Sequence, residues 1–220
     1  MKEKVTPTQK ALNLWAIILI IWSVYRSFFS MPEWFDEFVA KPMVFVLPVL
    51  YYLVKIDKKN PLEALNLNLK GKKFINDLVY SLIVIGLFFG AALLAIYVRT
   101  RVLPTLIIPG FASLALVTVT ALATGITEEI LSRGFVLKKL YDESKNYFSA
   151  IFISSILFFI LHVPILFTNA KITGNLLLTF MATDMILSII NGVIYLQRRS
   201  LTAPILIHTF YNIMVSFLFL

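Results

Sequence analysis

Long, nearly uninterrupted runs of apolar residues are the feature that most limits what this chain can fold into. The clearest runs are Leu12–Val24, Leu78–Val98 and Tyr147–Thr168. A helix needs about 20 mostly apolar residues to cross a bilayer, where every backbone polar group must find its partner within the protein. Hydrophobic residues make up 59% of this chain, against about 45–50% in a soluble domain. The chain is therefore predicted to be an integral membrane protein.

Seven apolar blocks follow one another, separated by residues that favour helix breaks. The breaks fall at Asn60-Pro61, Gly71, Pro104 and Pro109-Gly110. The blocks comprise residues 11–29, 38–56, 74–98, 111–137, 147–168, 174–196 and 201–220. The predicted fold is an all-α, polytopic membrane helical bundle of about seven transmembrane helices. The absence of cysteine excludes disulfides and thiolate chemistry.

The basic residues indicate how the chain is oriented in the membrane. Three lysines precede the first block and six follow the second, whereas the intervening loop Met31–Glu37 has three acidic residues and no lysine or arginine. The positive-inside rule then places the N-terminus in the cytoplasm, and the plasma membrane is the predicted location. Because the basic residues lie between spans, the net charge of +8 indicates contact with a lipid bilayer and not with nucleic acid. Arg26 and Lys41 lie near span ends and are predicted to snorkel.

Two adjacent glutamates occur in the fourth block, in the segment Glu128-Glu129-Ile-Leu-Ser-Arg133. Residues four apart share a helix face, so Glu129 and Arg133 are predicted to pair. Glu128 is rotated about 100° from Glu129 and has no such partner on its own helix. We expect Arg133 to hold Glu129 ionised and Glu128 to act as a general base. The alternative is a solvated helix end near the lysines that follow this block.

The only histidines of the chain, His162 and His208, both fall inside predicted spans. Ionisable residues within a membrane are costly, so each requires an explanation. Phe158 lies four residues before His162, and Asn212 lies four residues after His208, so each pair occupies one helical face. His162 can share a water with Glu128, while His208 and Asn212 can donate to a developing oxyanion. The alternative is that the imidazoles only form hydrogen bonds between helices.

Two further expectations concern depth in the bilayer. His162 would lie about 22 Å into the fifth block and His208 about 10 Å into the seventh, although both blocks enter from the same side. The histidines can meet only if the fifth block starts outside the membrane or is steeply tilted, and Pro164 predicts that the helix of the fifth block ends nearby.

Asp184 and Asn191 share a face of the sixth block, where they either line a cavity or pair between helices.

These residues resemble the motifs of a known family. Glu128-Glu129-x-x-x-Arg133, Phe158-x-x-x-His162 and His208-x-x-x-Asn212 are similar in order and spacing to three motifs of the CPBP or Abi family. That family comprises CAAX proteases and bacteriocin-processing and immunity proteins. The resemblance covers about residues 111–220, the predicted catalytic core. Residues 1–110 are similar to the variable extra spans of such proteins, and the two regions are expected to form one structural unit.

The resemblance implies an intramembrane glutamic endopeptidase acting on a peptide or protein substrate, which is lipidated in some members. The implied catalytic residues are Glu128, His162, His208 and Asn212, and the supporting residues are Glu129, Arg133 and Phe158. The glutamate and the histidine of the first two motifs would activate water, and the last histidine and the asparagine would bind the oxyanion. No cofactor is implied.

Other functions remain open at this point. Two histidines and two glutamates can hold zinc, as in a metallopeptidase, although the chain has no His-Glu-x-x-His helix. A non-catalytic immunity or scaffold protein could use the same fold. A small proton-coupled transporter could use Asp184, although no inverted repeat is evident. For a peptidase, a prenylated C-terminal peptide, a bacteriocin leader and a signalling peptide would all fit.

Overall fold

All seven apolar blocks are helical where the structure describes them. The computed structural model describes residues 5–67, 71–103, 110–168 and 174–219, and these form eight successive helices. They are α1 (Pro7–Phe28), α2 (Glu33–Ile56), α3 (Pro61–Ala64), α4 (Gly71–Thr100), α5 (Phe111–Ser144), α6 (Tyr147–Thr168), α7 (Gly174–Arg198) and α8 (Thr202–Phe219). The predicted all-α bundle is confirmed. The predicted breaks at Pro104 and Pro109 lie outside the described residues.

Six of the described helices are long and apolar enough to cross a membrane, namely α1, α2, α4, α5, α6 and α7. The last predicted block also forms a helix, the 18-residue α8, but it is not among these six. Helix α4 exposes the apolar side chains Ile75, Val79, Leu82 and Leu87, which suits contact with lipid tails. The protein is therefore an integral, multi-pass membrane protein.

The second helix begins at Glu33, five residues before the predicted start of the second block. Asp36 and Glu37, which were predicted to lie in a loop, are instead helical and only 6% and 8% exposed. Asp36 accepts hydrogen bonds from the Tyr25 hydroxyl and from Arg26 on α1. The prediction that Arg26 snorkels is therefore wrong, because the guanidinium pairs with a buried acid across the α1–α2 hairpin.

The fifth helix is longer than predicted and extends past Leu137 to Ser144. Its 34 residues correspond to about 51 Å, whereas the hydrocarbon core of a bilayer is about 30 Å thick. The predicted helix end near Pro164 is also wrong, because α6 continues through this proline to Thr168. Proline removes one backbone donor, a loss that neighbouring groups can compensate in a membrane helix.

Large side chains from α1, α2 and α5 form the main apolar core. Fully buried members include Ile18, Trp22, Phe45, Leu131 and Phe135. Because this core packs the N-terminal helices directly against the middle of α5, it fixes the position of any side chain that α2 projects towards the glutamates.

Candidate active site

Three helices bring Glu128 and both histidines to one depth. Helices α5 and α6 are joined by a two-residue turn and run antiparallel. Glu128 lies 16 residues before the end of α5 and His162 lies 15 residues into α6, distances of about 24 and 22 Å. His208 lies six residues into α8. Leu201, which directly precedes α8, packs beside Gly134, itself six residues past Glu128. The histidines meet because α6 starts about 13 Å farther from Glu128 than α8 does.

Glu128 is only 5% exposed, and its two carboxylate oxygens have different neighbours. Oε1 accepts a hydrogen bond from Nζ of Lys41 at 2.8 Å. Oε2 lies 3.5 Å from Nε2 of His162 and 3.8 Å from Nε2 of His208. Among the described residues, this oxygen is buried with no hydrogen-bond donor in range. Glu128 therefore presents one fixed oxygen and one free oxygen, and the free one faces both histidines.

The hydrogen bonds of the two imidazoles determine which ring nitrogen faces Glu128. Nδ1 of His162 lies 3.1 Å from the backbone oxygen of Phe158, and Nδ1 of His208 lies 2.9 Å from Oε1 of Glu129. Both partners are acceptors, so each neutral imidazole carries its proton on Nδ1. The Nε2 lone pairs then face Oε2 of Glu128. Three acceptors that converge in this way need a shared proton or a water donor between them.

Glu129 is fully buried and accepts three hydrogen bonds on one oxygen. The donors to Oε1 are Nη1 of Arg133 at 3.0 Å, Nδ2 of Asn191 at 3.1 Å and Nδ1 of His208 at 2.9 Å. The predicted contact with Arg133 is therefore present. Asn191 also donates to the Pro204 backbone oxygen at 3.2 Å, so it pairs between helices, the second of the two predicted alternatives. Glu129 joins α5, α7 and α8 and orients the ring of His208.

Phe158 lies at the centre of this constellation and is 1% exposed. The guanidinium of Arg133 stacks over its ring at 4.4 Å from the ring centroid. The rings of His162 and His208 lie 4.7 and 6.0 Å away, centroid to centroid. A cation over an aromatic face is attracted by the ring quadrupole. Phe158 therefore packs against both imidazoles and against the guanidinium of Arg133.

A close approach of α5 and α8 at Gly125 allows His208 to reach Glu129. A methyl group added at Gly125 would lie 2.8 Å from Oγ1 of Thr209 and 3.0 Å from the backbone oxygen of Ile205. Such distances are shorter than van der Waals contact, so only glycine fits without moving a helix. Gly125 lies one turn before Glu129, and Thr209 directly follows His208. The fit of these two helices therefore positions the histidine.

Sequence reasoning missed the contribution of α2. Lys41 is 5% exposed, and its ammonium lies 2.6 Å from Oε1 of Glu37 and 2.8 Å from Oε1 of Glu128. The prediction that Lys41 snorkels is therefore wrong, since two buried carboxylates hold the ammonium inside the bundle. Glu37 in turn accepts a hydrogen bond from Oγ1 of Thr124 at 2.7 Å. The signal was available, because Glu37 and Lys41 are four residues apart, the spacing that correctly paired Glu129 with Arg133.

A small void borders Glu128 and His162. Its other lining residues are Trp22, Lys41, Phe45 and Leu161. Its volume is about 10 Å³, the lower limit of the space that one water needs. One water can therefore lie between the carboxylate and the imidazole, within a largely apolar wall.

Asn212, the predicted oxyanion partner of His208, lies one turn after His208 on α8 and faces a cavity. It lines a separate cavity of about 290 Å³, together with Thr120 and Thr124 of α5 and Glu33 at the start of α2. Neither Glu128 nor a histidine lines this cavity. Thr124 nevertheless donates to Glu37, which holds Lys41. The cavity therefore lies next to the site, separated from it by this polar chain.

Asp184 of α7 is half-buried and close enough to His162 and Glu128 to interact with them electrostatically. Within the described part of the chain, no three side chains of His, Cys, Asp or Glu are grouped so as to hold a metal ion.

Comparison with known proteins gives one match. Residues 109–214 match the model of a family described as type II CAAX prenyl endopeptidase Rce1-like. All of the predicted site residues lie in this range, from Glu128 to Asn212, whereas Glu37 and Lys41 precede it. No curated protein and no solved structure matches the chain.

Proposed function

Because residues 109–214 belong to the type II CAAX prenyl endopeptidase Rce1-like family, we propose that this membrane protein is an intramembrane endopeptidase in which Glu128 and His162 activate water. The observation that carries the proposal is the free, buried Oε2 of Glu128, which lies 3.5 Å from Nε2 of His162 beside a void of one-water size. A general base must lie within reach of the proton that it removes, directly or through one water.

In the proposed reaction, a water in the void donates one hydrogen bond to Oε2 of Glu128 and the other to Nε2 of His162. Glu128 takes a proton as the water oxygen attacks the scissile carbonyl carbon. The C–N bond then breaks, and the same proton is passed to the leaving amine. The substrate gains one water, and the enzyme returns to its starting protonation state.

The developing oxyanion requires hydrogen-bond donors. We propose that His208, whose ring lies next to Glu128, is one of these donors. Its Nδ1 already donates to Glu129, so for Nε2 to donate as well, His208 must enter the reaction with both ring nitrogens protonated and keep both protons throughout. The carboxylate of Glu129 stabilises the resulting imidazolium. Asn212 lies one turn farther along α8, and we propose that it reaches the oxyanion only when substrate occupies the adjacent cavity. Glu129, Arg133 and Phe158 hold the ring of His208 in position.

The proposal is tested with purified protein in nanodiscs and the variants Glu128→Gln and His162→Ala. Removing a general base lowers turnover by about 10² to 10⁴-fold. Glu128→Gln should do so while the protein still folds, because the amide oxygen can still accept from Lys41 and Glu37 still balances the ammonium. Glu63→Gln is the matched control, because Glu63 is exposed on α3. Wild-type turnover by the Glu128→Gln protein would exclude Glu128 as the base.

The substrate is proposed to be a peptide with a lipid-modified C-terminal region, by extension from the description of the family. A farnesylated fluorogenic peptide is compared with the same peptide lacking the lipid, and membrane peptidomics of cells producing wild type or Glu128→Gln tests for other substrates. Preferential cleavage of the farnesylated form supports the proposal. Equal cleavage of both forms, or accumulation only of unlipidated leader peptides in the variant, contradicts it.

We also propose that the reaction requires no metal. The buried ammonium of Lys41 lies on Oε1 of Glu128, and its positive charge opposes the binding of a metal dication at the neighbouring oxygen. Turnover should be unchanged after dialysis against EDTA. Complete loss of turnover that stoichiometric zinc restores would contradict this.

A further inference from the structure

The buried ammonium of Lys41 bonds directly to the carboxylate that the proposed mechanism uses, although Lys41 lies 87 residues away in sequence and outside the family-matched region. A buried lysine is destabilising unless it is paired and hydrogen-bonded. Lys41 meets this condition through two carboxylates, Glu128 at 2.8 Å and Glu37 at 2.6 Å. Two of its three ammonium hydrogens are thus directed at carboxylate oxygens within the bundle.

The position of Lys41 affects the two oxygens of Glu128 differently. The ammonium lies on Oε1, and Oε2 is left free towards the histidines. A carboxylate on a flexible side chain can rotate and exchange the positions of its two oxygens. Rotation would turn the hydrogen-bonded oxygen towards the histidines in place of the free one. A charge-assisted hydrogen bond to one oxygen opposes this rotation. Lys41 is also a lining residue of the void next to Glu128 and His162.

The other side of Lys41 is fixed by Glu37 and Thr124. Oγ1 of Thr124 donates to Oε2 of Glu37 at 2.7 Å, while Oε1 of Glu37 accepts from Lys41. Thr124 lies one turn before Glu128 on the same helix. The chain of contacts therefore leaves α5, passes through two residues of α2 and returns to α5. Such a closed arrangement fixes the ammonium from both sides.

We propose that Lys41 is a positioning residue of the active site, which fixes the orientation of the Glu128 carboxylate and keeps it ionised. The inference rests on the proposed function. It implies that the N-terminal helices supply part of the catalytic apparatus and do not merely anchor the family-matched region in the membrane.

The test compares kcat, KM and the pH dependence of kcat in four proteins: wild type, Lys41→Arg, Glu37→Gln and the double variant Glu37→Gln/Lys41→Met. The double variant is used because Lys41→Met alone would leave two buried carboxylates unpaired. Glu37→Gln is its reference, since it retains the contact between Lys41 and Glu128. Unfolding temperature and yield show whether each protein is folded.

Relative to Glu37→Gln, the double variant should lose about 10²-fold in kcat, as expected for a misplaced catalytic group, with little change in KM. The acidic limb of its pH profile should move up by about one unit or more, because a neighbouring cation favours the ionised carboxylate. Lys41→Arg should recover most of the pH profile. Other charged or titratable groups around Glu128 are unchanged in these variants, namely Glu129, Arg133, His162, Asp184 and His208.

A folded double variant whose kcat and pH profile equal those of Glu37→Gln would overturn the inference. Loss of kcat with an unchanged pH profile, not recovered by arginine, would show a packing role only and would also overturn it. Glu128→Gln is measured in the same assay. If that variant remains active, the proposed function fails; if it is inactive while the Lys41 variants behave like their references, only the role of Lys41 fails.

Discussion

Glu128 and Glu129 are adjacent in sequence but have different surroundings. Glu129 is fully buried and bonds to an arginine, an asparagine and a histidine, whereas Glu128 keeps one oxygen free towards two imidazoles. An acid that accepts three hydrogen bonds on one oxygen is well suited to hold a structure together. Oε2 of Glu129 also has no hydrogen-bond partner among the described residues, but the free oxygen of Glu128 is the one that lies 3.5 and 3.8 Å from the two Nε2 atoms, so Glu128 is better placed to accept a proton from a water between them.

Glu129→Ala should destabilise the protein and also reduce its activity. The substitution leaves Arg133 buried without its carboxylate, and breaking a buried ion pair costs on the order of 3–5 kcal/mol. Thermal unfolding in detergent and the yield of folded protein measure the effect, with Glu63→Ala as the exposed control. A Glu129→Ala protein that unfolds at the wild-type temperature would contradict this prediction. A folded, inactive Glu129→Gln beside an active Glu128→Gln would reverse the assigned roles.

At the scale of the helices, the site depends on how closely α5 and α8 approach. Gly125 is the contact point, because a side chain there would collide with Thr209 and with the backbone of Ile205. The backbone oxygen cannot move without its helix. Any displacement of α8 moves His208, which lies between the two contact residues Ile205 and Thr209.

Gly125→Ala should therefore lower both stability and turnover. Overpacking of this kind costs typically about 1–3 kcal/mol, and displacement of His208 from Glu129 should reduce kcat. Gly90→Ala on α4 is the matched control, because nothing lies within 4 Å of the added methyl group and alanine favours helix by about 1 kcal/mol. Unfolding temperature and kcat are measured for both. If Gly125→Ala and Gly90→Ala have the same unfolding temperature and kcat, the contact between α5 and α8 tolerates a methyl group and the prediction is wrong.

At the scale of the whole molecule, contacts between helix ends show which termini share a membrane face. The backbone N–H of Thr8 donates to Glu143 at 2.8 Å, and its hydroxyl donates to the Lys139 backbone oxygen at 3.2 Å. The start of α1 and the end of α5 therefore lie on the same side. Both segments are rich in lysine, which favours the cytoplasmic side.

We predict that this face is cytoplasmic, so the α1–α2 turn lies outside. Because the chain contains no cysteine, single cysteines can be introduced without a background signal. In intact cells, a membrane-impermeant maleimide should label Met31→Cys and leave Lys58→Cys unlabelled until the membrane is opened. The reverse pattern would show the opposite orientation.

Much of the fold could be predicted from the sequence because its cause is local. A long apolar run must form a helix in lipid, and all seven runs are helical where described. The pairing of Glu129 with Arg133 also follows from helix geometry alone. The same rule was available for Glu37 and Lys41, but the acidic residues around position 36 indicated a loop. The contacts of Asp36 with Arg26 on α1 and of Glu37 with Thr124 on α5 could not be inferred locally.

The site itself was decided by contacts between helices that are distant in sequence. Periodicity shows which residues share one face of one helix, but not which faces meet or at what depth. The depth depends on the extension of α5 to Ser144. This extension places the start of α6 far enough from Glu128 that His162, along the antiparallel α6, lies beside Glu128. The approach of His208 depends on the missing side chain at Gly125. The sequence by itself determined the helices and singled out the candidate acid and histidines; only tertiary packing decided that Lys41 joins them, because a buried ammonium is stable only beside its carboxylates.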